Sequence, residues 1–174
     1  MPHYMRALVP GGTFFFTVTW LSRRRKLLTE NLDYLQEGFR AARRRPFTVE
    51  AIVIVPHHLH CIWTLPSGDA DSSARGHDIK ARFAARIPRG ERLSARRFQK
   101  GERGIWPRRF WEHVIRDAGD YGRQVDYLHY NPGKCGQVMR VAARPYASFY
   151  CYVERGIYNF DWAADDNVRG LEME

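Results

Sequence analysis

Apolar positions along the chain mark out an alternating series of short strands and amphipathic helices. A run of aromatic and β-branched residues at 13–21 predicts a buried strand, and residues 47–55 predict a second one. Between them, apolar residues recur at steps of three and four over 28–42, which predicts a helix with Thr29 as its N-cap. Pro46 follows and prevents the helix from continuing.

A third strand is predicted at residues 58–65, where consecutive side chains point to opposite faces. One face carries His58 and His60. The other face is apolar enough to pack against a core and consists of Leu59, Cys61, Trp63 and Leu65. Packing of this apolar face would fix the backbone that carries both histidines.

The second half of the chain continues with helix and strand signals around a basic stretch. Residues 79–87 predict a short helix, and residues 89–104 predict a basic loop. Residues 106–114 are aromatic and extended, and 117–130 predict a helix that Pro132 terminates. The order strand, helix, two strands, helix and strand predicts a single α+β domain with an antiparallel sheet.

Positive charge is concentrated in the middle of the chain. The 174 residues carry a net charge of +9, and residues 75–116 hold 13 Lys and Arg against four acids. Eleven of these 13 cations are Arg, whose forked donors suit phosphate oxygens. A nucleic acid is the predicted partner, and a solvated loop without a ligand is the alternative. The predicted DNA contacts are Arg75, Lys80, Arg82, Arg96, Arg97, Lys100, Arg108 and Arg109.

Aromatic residues make up 14% of the chain, which indicates a folded protein and excludes a disordered polybasic tail. Trp106, Phe110 and Trp111 lie inside the basic segment, where they would either stack on unpaired bases or pack in the core. The predicted domain covers 1–162. An acidic tail follows at 163–174 and is a candidate for competing with DNA at the basic surface.

Hydropathy and cysteine usage set the expected compartment. The longest apolar-leaning run, 13–21, is well short of the roughly 20 residues that a membrane span needs. Its basic residues follow it, whereas those of a signal peptide precede the apolar run. The three cysteines are widely spaced and form no CxxC pair, so free thiols are predicted. Together these features predict a cytoplasmic, nucleoid-associated protein without a membrane partner.

The segment around the two strand histidines is the first candidate for chemistry. His58 and His60 would share a face about 6.6 Å apart along the strand, so both could bind one metal ion at about 2.1 Å. His57 would point to the opposite face. A His-x-His pair also occurs in zinc hydrolases and on ordinary exposed strands, and the pair alone leaves these alternatives open.

A second candidate group lies near the end of the last predicted helix. Tyr127 and Asn131 are four residues apart, so they are neighbours on one helix face. An amide oxygen can complete a metal site begun by two imidazoles, and a tyrosine phenol beside it can act as a nucleophile. The spacing does not distinguish Tyr127 from Tyr130, and core packing is the alternative for both.

Four motifs occur in order along the chain: PHHLHCIW, IWPRRFWEHVIRD, DYLHYNPGKCG, and YVERGIY with FDW. Together with GGTFFFTV and LPSGDADSSARGHDIKARF, they resemble the REP-associated tyrosine transposases, a branch of the single-tyrosine HuH transposases. HuH denotes a His–hydrophobic–His pair. The resemblance extends over about residues 11–162.

This resemblance implies a ferredoxin-like βαββαβ fold with a central antiparallel sheet, as in HuH nucleases. His58 and His60 match the two metal-binding histidines of the family, and Asn131 matches the residue that completes the site for Mg²⁺ or Mn²⁺. Tyr127 matches the nucleophile. Family members usually have Asp or Asn at the position of His57.

The family activity is cleavage and strand transfer of single-stranded DNA near short palindromic hairpins. Cleavage leaves a 5′-phosphotyrosine link and a free 3′-OH. The expected partners are therefore single-stranded DNA and DNA hairpins. A non-catalytic protein that keeps the fold and binds hairpins is the alternative function, and the sequence leaves open whether the chain is a monomer or a homodimer.

Overall fold

Four strands and six helices make up the part of the chain that the computed structural model describes, which is residues 7–21, 26–90, 93–107, 110–134 and 146–163. The strands are β1 (Thr13–Thr19), β2 (Thr48–Ile54), β3 (His58–Thr64) and β4 (Trp111–Val114). The helices are α1 (Leu27–Glu30), α2 (Leu32–Ala42), α3 (Ser72–Arg86), α4 (Ala95–Gln99), α5 (Ala118–Lys134) and α6 (Phe149–Glu154).

The strands form one sheet in the order β2-β3-β1-β4, and every neighbouring pair is antiparallel. Helices α1 and α2 connect β1 to β2, while α3 and α4 connect β3 to β4. This is the split βαβ connectivity of the ferredoxin-like βαββαβ fold, with β3 lying between β2 and β1. The structure therefore confirms the predicted fold class.

Both faces of the sheet are buried, so consecutive side chains of the central strands enter two separate core clusters. The α3 face packs against α2 and α3 and carries Phe14, Phe16, Leu59, Cys61 and Trp63. The α5 face packs against α5 and α6 and carries Phe15, Ala51, Val53 and Ile62. The α3 face is the apolar face that the alternation in β3 predicted. The two histidines of β3 therefore lie on the α5 face.

Several helices differ in their bounds or number from those that the sequence pattern predicts. The single helix predicted at 28–42 is two helices separated at Asn31, and the first begins at Leu27 without a side-chain cap from Thr29. A short helix, α4, lies inside the predicted basic loop. Helix α5 continues past Pro132, because the packing of its earlier turns on the sheet outweighs one lost backbone hydrogen bond.

Helix α3 begins seven residues before the predicted start at Ile79, with Asp71 as its N-cap. Its first turns bury Ser72, Arg75 and Gly76. No apolar periodicity marks these turns, since the buried side chains there are polar or absent. The missing signal explains why the sequence pattern detected only the second half of the helix.

Arg75, predicted as a DNA contact, is instead fully buried, with 0% of its surface exposed. Its guanidinium donates to the main-chain oxygens of Arg45, Pro46 and Asp71 and to the carboxylate of Asp69, at 2.6–3.3 Å. These bonds fasten the start of α3 to the connection between α2 and β2. The prediction is wrong for Arg75 because its donors are used inside the fold, where no phosphate can reach them.

Helices of the described chain are all too short or too polar to cross a membrane. Cys61 and Cys151 are free thiols, but only Cys61 is buried. The acidic tail, from residue 164 onward, lies outside the described residues, and its predicted role stays a prediction.

His129 on α5 is buried among Phe149, Tyr152 and Tyr158, and its Nε2 shares a hydrogen bond of 2.9 Å with Ser148 Oγ. Burial lowers the pKa of His129 from its ordinary value to about 4, because the apolar surroundings disfavour the imidazolium. The folded state therefore takes up this proton at lower pH than the unfolded state does.

Acidification from pH 6.5 toward pH 4 is consequently expected to destabilise the fold, with His129 contributing a loss of up to about 3 kcal/mol. Above pH 6.5 both states carry a neutral His129, so the contribution is constant there. Urea unfolding at several pH values measures it. His129→Gln should make the free energy of unfolding depend less on pH. His77→Gln should leave this dependence unchanged, because the His77 side chain is 79% exposed. If the free energies of unfolding of His129→Gln and the wild type change with pH in the same way, the loss of stability does not come from His129.

Candidate active site

One row of side chains crosses the α5 face of the sheet from strand to strand. In this row Val53 of β2 pairs with His60 of β3, His60 pairs with Thr17 of β1, and Thr17 pairs with Trp111 of β4. Directly paired residues of antiparallel strands lie on the same face. His58 lies in the neighbouring row of that face, opposite Thr19. The sheet thus presents both histidines toward α5.

His58 and His60 lie side by side as the alternation predicts. Their ring centroids are 4.8 Å apart and their planes meet at 74°. Both side chains are buried. His57 precedes β3, and its main-chain oxygen accepts a hydrogen bond of 2.6 Å from the Trp20 N–H. The exclusion of His57 from the metal site stays a prediction.

Thr17 orients the His60 ring through a hydrogen bond of 2.9 Å between Thr17 Oγ1 and His60 Nδ1. When Nδ1 carries the proton of this bond, the lone pair of the neutral imidazole lies on Nε2. Nε2 is buried and lies near the Asn131 side chain. A metal-ligating histidine is usually held in this way, with its second nitrogen fixed by a neighbouring group.

Burial lowers the pKa of His60 well below its ordinary value, and the nearby His58 lowers it further, while the Asn131 side chain partly opposes the shift. The ring is thus neutral near pH 7. Metal binding requires a neutral imidazole. The environment of His60 therefore keeps it in the form that a metal ion needs.

Asn131 on α5 reaches across to β3, where His58 Nε2 donates a hydrogen bond of 2.8 Å to Asn131 Oδ1. Two ligands bound at about 2.1 Å in an octahedral site lie about 3.0 Å apart. The observed separation is close to that value, so the two atoms fit a shared ion once the Nε2 proton of His58 moves to Nδ1. Two imidazoles and one amide oxygen are donors that divalent cations use.

The described residues contain no group of three or more His, Cys, Asp or Glu side chains that could hold a metal ion. The zinc-hydrolase alternative needs a third ligand of this kind beside His58 and His60. Asn131 lies beside His58 instead, and an amide oxygen is a ligand preferred by harder ions such as Mg²⁺.

Tyr127 lies on the same face of α5 as Asn131, as their spacing predicts. Its ring centroid is 5.6 Å from that of His60 and 6.0 Å from that of Phe15. The side chain is 0% exposed. Tyr130 is partly exposed and packs at the edge of the core on the α5 face. Position beside the histidines thus favours Tyr127 over Tyr130 as the candidate nucleophile.

The predicted DNA-contacting cations fall into three groups besides the buried Arg75. Arg82, Arg96 and Lys100 are exposed. Lys80 and Arg97 are partly buried, and the Lys80 ammonium lies 4.8 Å from the centre of the Phe110 ring. The last two, Arg108 and Arg109, lie outside the described residues. DNA binding by these cations stays a prediction.

The three aromatic residues proposed for base stacking separate onto the two faces of the sheet. Phe110 is buried on the α3 face, and Trp106 packs there against Trp20 while its Nε1 donates to Lys80 O at 3.0 Å. Trp111 lies on the α5 face and is partly exposed. Core packing therefore explains Phe110 and Trp106, and Trp111 alone of the three lies on the face of the histidines.

Two features of this face have no signature in the sequence pattern. One is Thr17, which is 43 positions away from the His60 that it orients. The other is a pair between His113 Nε2 on β4 and Asp120 Oδ2 on α5, at 2.8 Å.

Two known proteins with the same family description are similar to this chain. A REP-associated tyrosine transposase of Escherichia coli is 42% identical over 166 residues, covering 95% of this chain and 93% of the relative. A Haemophilus influenzae protein with the same family description is 38% identical over 175 residues, covering 97% of each chain.

A solved structure of a REP-associated tyrosine transposase bound to a REP hairpin superposes with a TM-score of 0.81 at 42% identity, covering 95% of this chain and 93% of that one. No family model matches the chain.

Proposed function

Because the chain belongs to the REP-associated tyrosine transposases and is itself a transposase, we propose that it cuts and rejoins single-stranded DNA beside REP-type hairpins through Tyr127. The observation that carries this proposal is the meeting of three groups on one sheet face. The Tyr127 ring lies beside His60, and Asn131 bonds His58. A hairpin substrate is supported by the similar solved structure, whose protein is bound to a REP hairpin.

His58, His60 and Asn131 are the residues that would hold Mg²⁺ or Mn²⁺. When bound, such an ion supplies positive charge that polarises a phosphate and stabilises the charge of the transition state. Thr17 keeps the His60 ring oriented, and burial keeps it neutral. The fold thus keeps His60 Nε2 ready to bind an ion.

Tyr127 would attack the scissile phosphorus through its phenol oxygen. The new bond joins this oxygen to the 5′-phosphate, and the bond from phosphorus to the 3′-oxygen breaks. The proton lost by the phenol is balanced by the proton gained by the leaving 3′-oxygen. Because one phosphoester replaces another, a 3′-OH can later attack the phosphotyrosine and release Tyr127 without an external energy source.

The burial of Tyr127 adds a requirement to this reaction. Its hydroxyl lies beneath α5, on the α5 face of the sheet, and 0% of the residue is exposed. A phosphate can reach the phenol oxygen only after α5 shifts away from the sheet near His60. The hydrogen bond between His58 and Asn131, which joins β3 to α5, would open or exchange for an ion during this movement.

The exposed cations on α3 and α4 are the best-supported phosphate contacts for the hairpin. Arg82, Arg96 and Lys100 are exposed, and two of them lie on or beside the short helix α4. Contacts of this kind position DNA without reading its sequence. They also make binding weaken as salt concentration rises.

A covalent complex is the direct test. Wild-type protein incubated with Mn²⁺ and a REP-type hairpin oligonucleotide carrying its unpaired flanks, taken from the genome that encodes the chain, is expected to form an adduct that survives denaturing electrophoresis. Removing the ion with EDTA should abolish the adduct and leave hairpin binding in place, because phosphate contacts by the basic residues do not need it. Hairpin binding without an adduct under any divalent ion would instead identify a non-catalytic hairpin-binding protein.

A further inference from the structure

The open edge of the α5 face carries an aromatic residue and a group of cations outside the metal and nucleophile site. Trp111 on β4 lies in the same row as His60, with only Thr17 between them. Neighbouring strands are about 4.8 Å apart, so the backbones of Trp111 and His60 are separated by roughly 10 Å. Trp111 is therefore close enough to contact a nucleotide next to the scissile phosphate.

Among the described residues, helix α5 crosses the sheet diagonally, from the edge strand β4 to β3. At its start Asp120 bonds His113 on the edge strand β4, and near its end Asn131 bonds His58 on β3. In the row of His60 the helix lies over β3, because Tyr127 contacts His60 there. Trp111 stands two strands further out in that row and is partly exposed.

The orientation of the Trp111 ring is fixed before any ligand binds. Its ring is nearly parallel to that of His113, at 6° and 5.9 Å, and meets the ring of Phe15 edge-on, at 77° and 5.7 Å. A rigid, partly exposed indole is a suitable surface for an unpaired base, because base–aromatic stacking needs a flat partner and tolerates any base.

One histidine and two arginines surround a buried carboxylate near this edge of the sheet. Asp120, whose side chain is 7% exposed, lies 2.8 Å from His113 Nε2, 3.9 Å from Arg116 Nε and 3.6 Å from Arg123 Nη2. Burial alone would raise the pKa of Asp120, but hydrogen bonds from His113 and the Arg116 N–H hold it below its ordinary value. The carboxylate is thus charged and holds the cations in place.

The two arginines stay available to a ligand. The Arg116 side chain is 76% exposed and that of Arg123 is 58% exposed, and their contacts with Asp120 are long. At 3.9 Å and 3.6 Å neither guanidinium is within hydrogen-bond distance of the carboxylate, so each keeps donors that a phosphate can accept. One further acid, Asp117, is nearby and accepts the main-chain N–H of Asp120.

We propose that Trp111 stacks on an unpaired base of the DNA strand leaving the His58–His60 site, and that Arg116 and Arg123 bind the phosphates of that strand. The occupant is single-stranded DNA, since the surface combines a stacking ring, positive charge and continuity with the row of His60. This inference rests on the proposed function and adds the path of the unpaired flank.

The test compares two probes in EDTA, so that binding is measured without cleavage: the REP-type hairpin with its unpaired flanks, and the same hairpin made blunt. Trp111→Ala should weaken binding of the flanked hairpin by roughly 5- to 150-fold and leave the blunt hairpin unaffected. Trp111→Phe keeps a flat ring and should retain most of the affinity. A flank base replaced by 2-aminopurine should be quenched by the wild type and not by Trp111→Ala.

Replacing Arg116 and Arg123 together with glutamine should make the salt dependence of flanked-hairpin binding shallower, by up to about 1.4 in the log–log slope. Arg40→Gln is the matched control, because Arg40 is an exposed arginine on α2 that is not among the predicted DNA contacts and donates to Gln36 Oε1. Its slope should equal that of the wild type.

Equal affinity of Trp111→Ala and wild type for the flanked hairpin would overturn the inference, as would equal losses for both probes. Adduct formation by the wild type is scored separately with Mn²⁺. If the wild type forms the adduct but Trp111→Ala binds the flanked hairpin normally, the stacking inference is refuted. The proposed transposase mechanism is then retained. A wild type that binds neither probe refutes both.

Discussion

Replacing Tyr127 with phenylalanine is expected to abolish the covalent protein–DNA adduct completely. The substitution removes only the phenol oxygen, which is the one atom of this side chain that can bond to phosphorus. The ring would keep its contacts with His60 and Phe15, so the fold and hairpin binding should be retained. Denaturing electrophoresis detects the adduct, and mass spectrometry of the digested complex locates the modified peptide.

Tyr130→Phe is the matched control for this experiment. It removes the same atom from the same helix, three residues away, where the ring is partly exposed at the edge of the core. This variant should form the adduct as the wild type does. Persistence of the adduct in Tyr127→Phe together with its loss in Tyr130→Phe would show that the nucleophile is Tyr130, and that the observed position of α5 is not the reactive one.

Replacing Arg75 with alanine is expected to destabilise the folded protein by about 3–5 kcal/mol, the usual cost of truncating a large, fully buried side chain. Three main-chain oxygens would lose their donor, and the Asp69 carboxylate would lose its closest cation. For a chain of this size each kcal/mol lowers the melting temperature by about 2–4 °C, which gives a decrease on the order of 6–20 °C. Urea unfolding and thermal melting measure the two quantities.

Arg82→Ala serves as the control, because Arg82 lies on the same helix and is exposed. Its effect should stay within about 0.5 kcal/mol, as for most surface substitutions. Arg75→Lys should fall between the two, since an ammonium keeps the charge but cannot reach four acceptors at once. Similar stabilities for Arg75→Ala and Arg82→Ala would mean that the buried guanidinium does not fasten α3.

Local periodicity was sufficient to predict the strand that carries the histidines. In β3 every second residue packs on the α3 face, which forces His58 and His60 onto the other face. The four-residue spacing of Tyr127 and Asn131 likewise predicted a shared face of α5. Both patterns depend on residues within a few positions of each other, and for that reason they can be read without the fold.

The same reasoning failed where a charged residue was used inside the fold. A run of arginines indicates a basic surface, yet Arg75 is buried because acceptors from the α2–β2 connection and from the segment just before α3 surround it. Composition cannot distinguish Arg75 from the exposed Arg82 seven residues later. Their exposure differs because of the residues that pack over each side chain in the fold.

The sequence alone thus determined the fold class, the orientation of the histidine pair and the pairing of a tyrosine with an asparagine. Tertiary structure decided which tyrosine lies beside the histidines, which residue orients His60, and which aromatic residue shares their face. Thr17, His60 and Trp111 come from three strands far apart in the chain. They meet because strand pairing sets the rows of a sheet, and local periodicity does not encode that register.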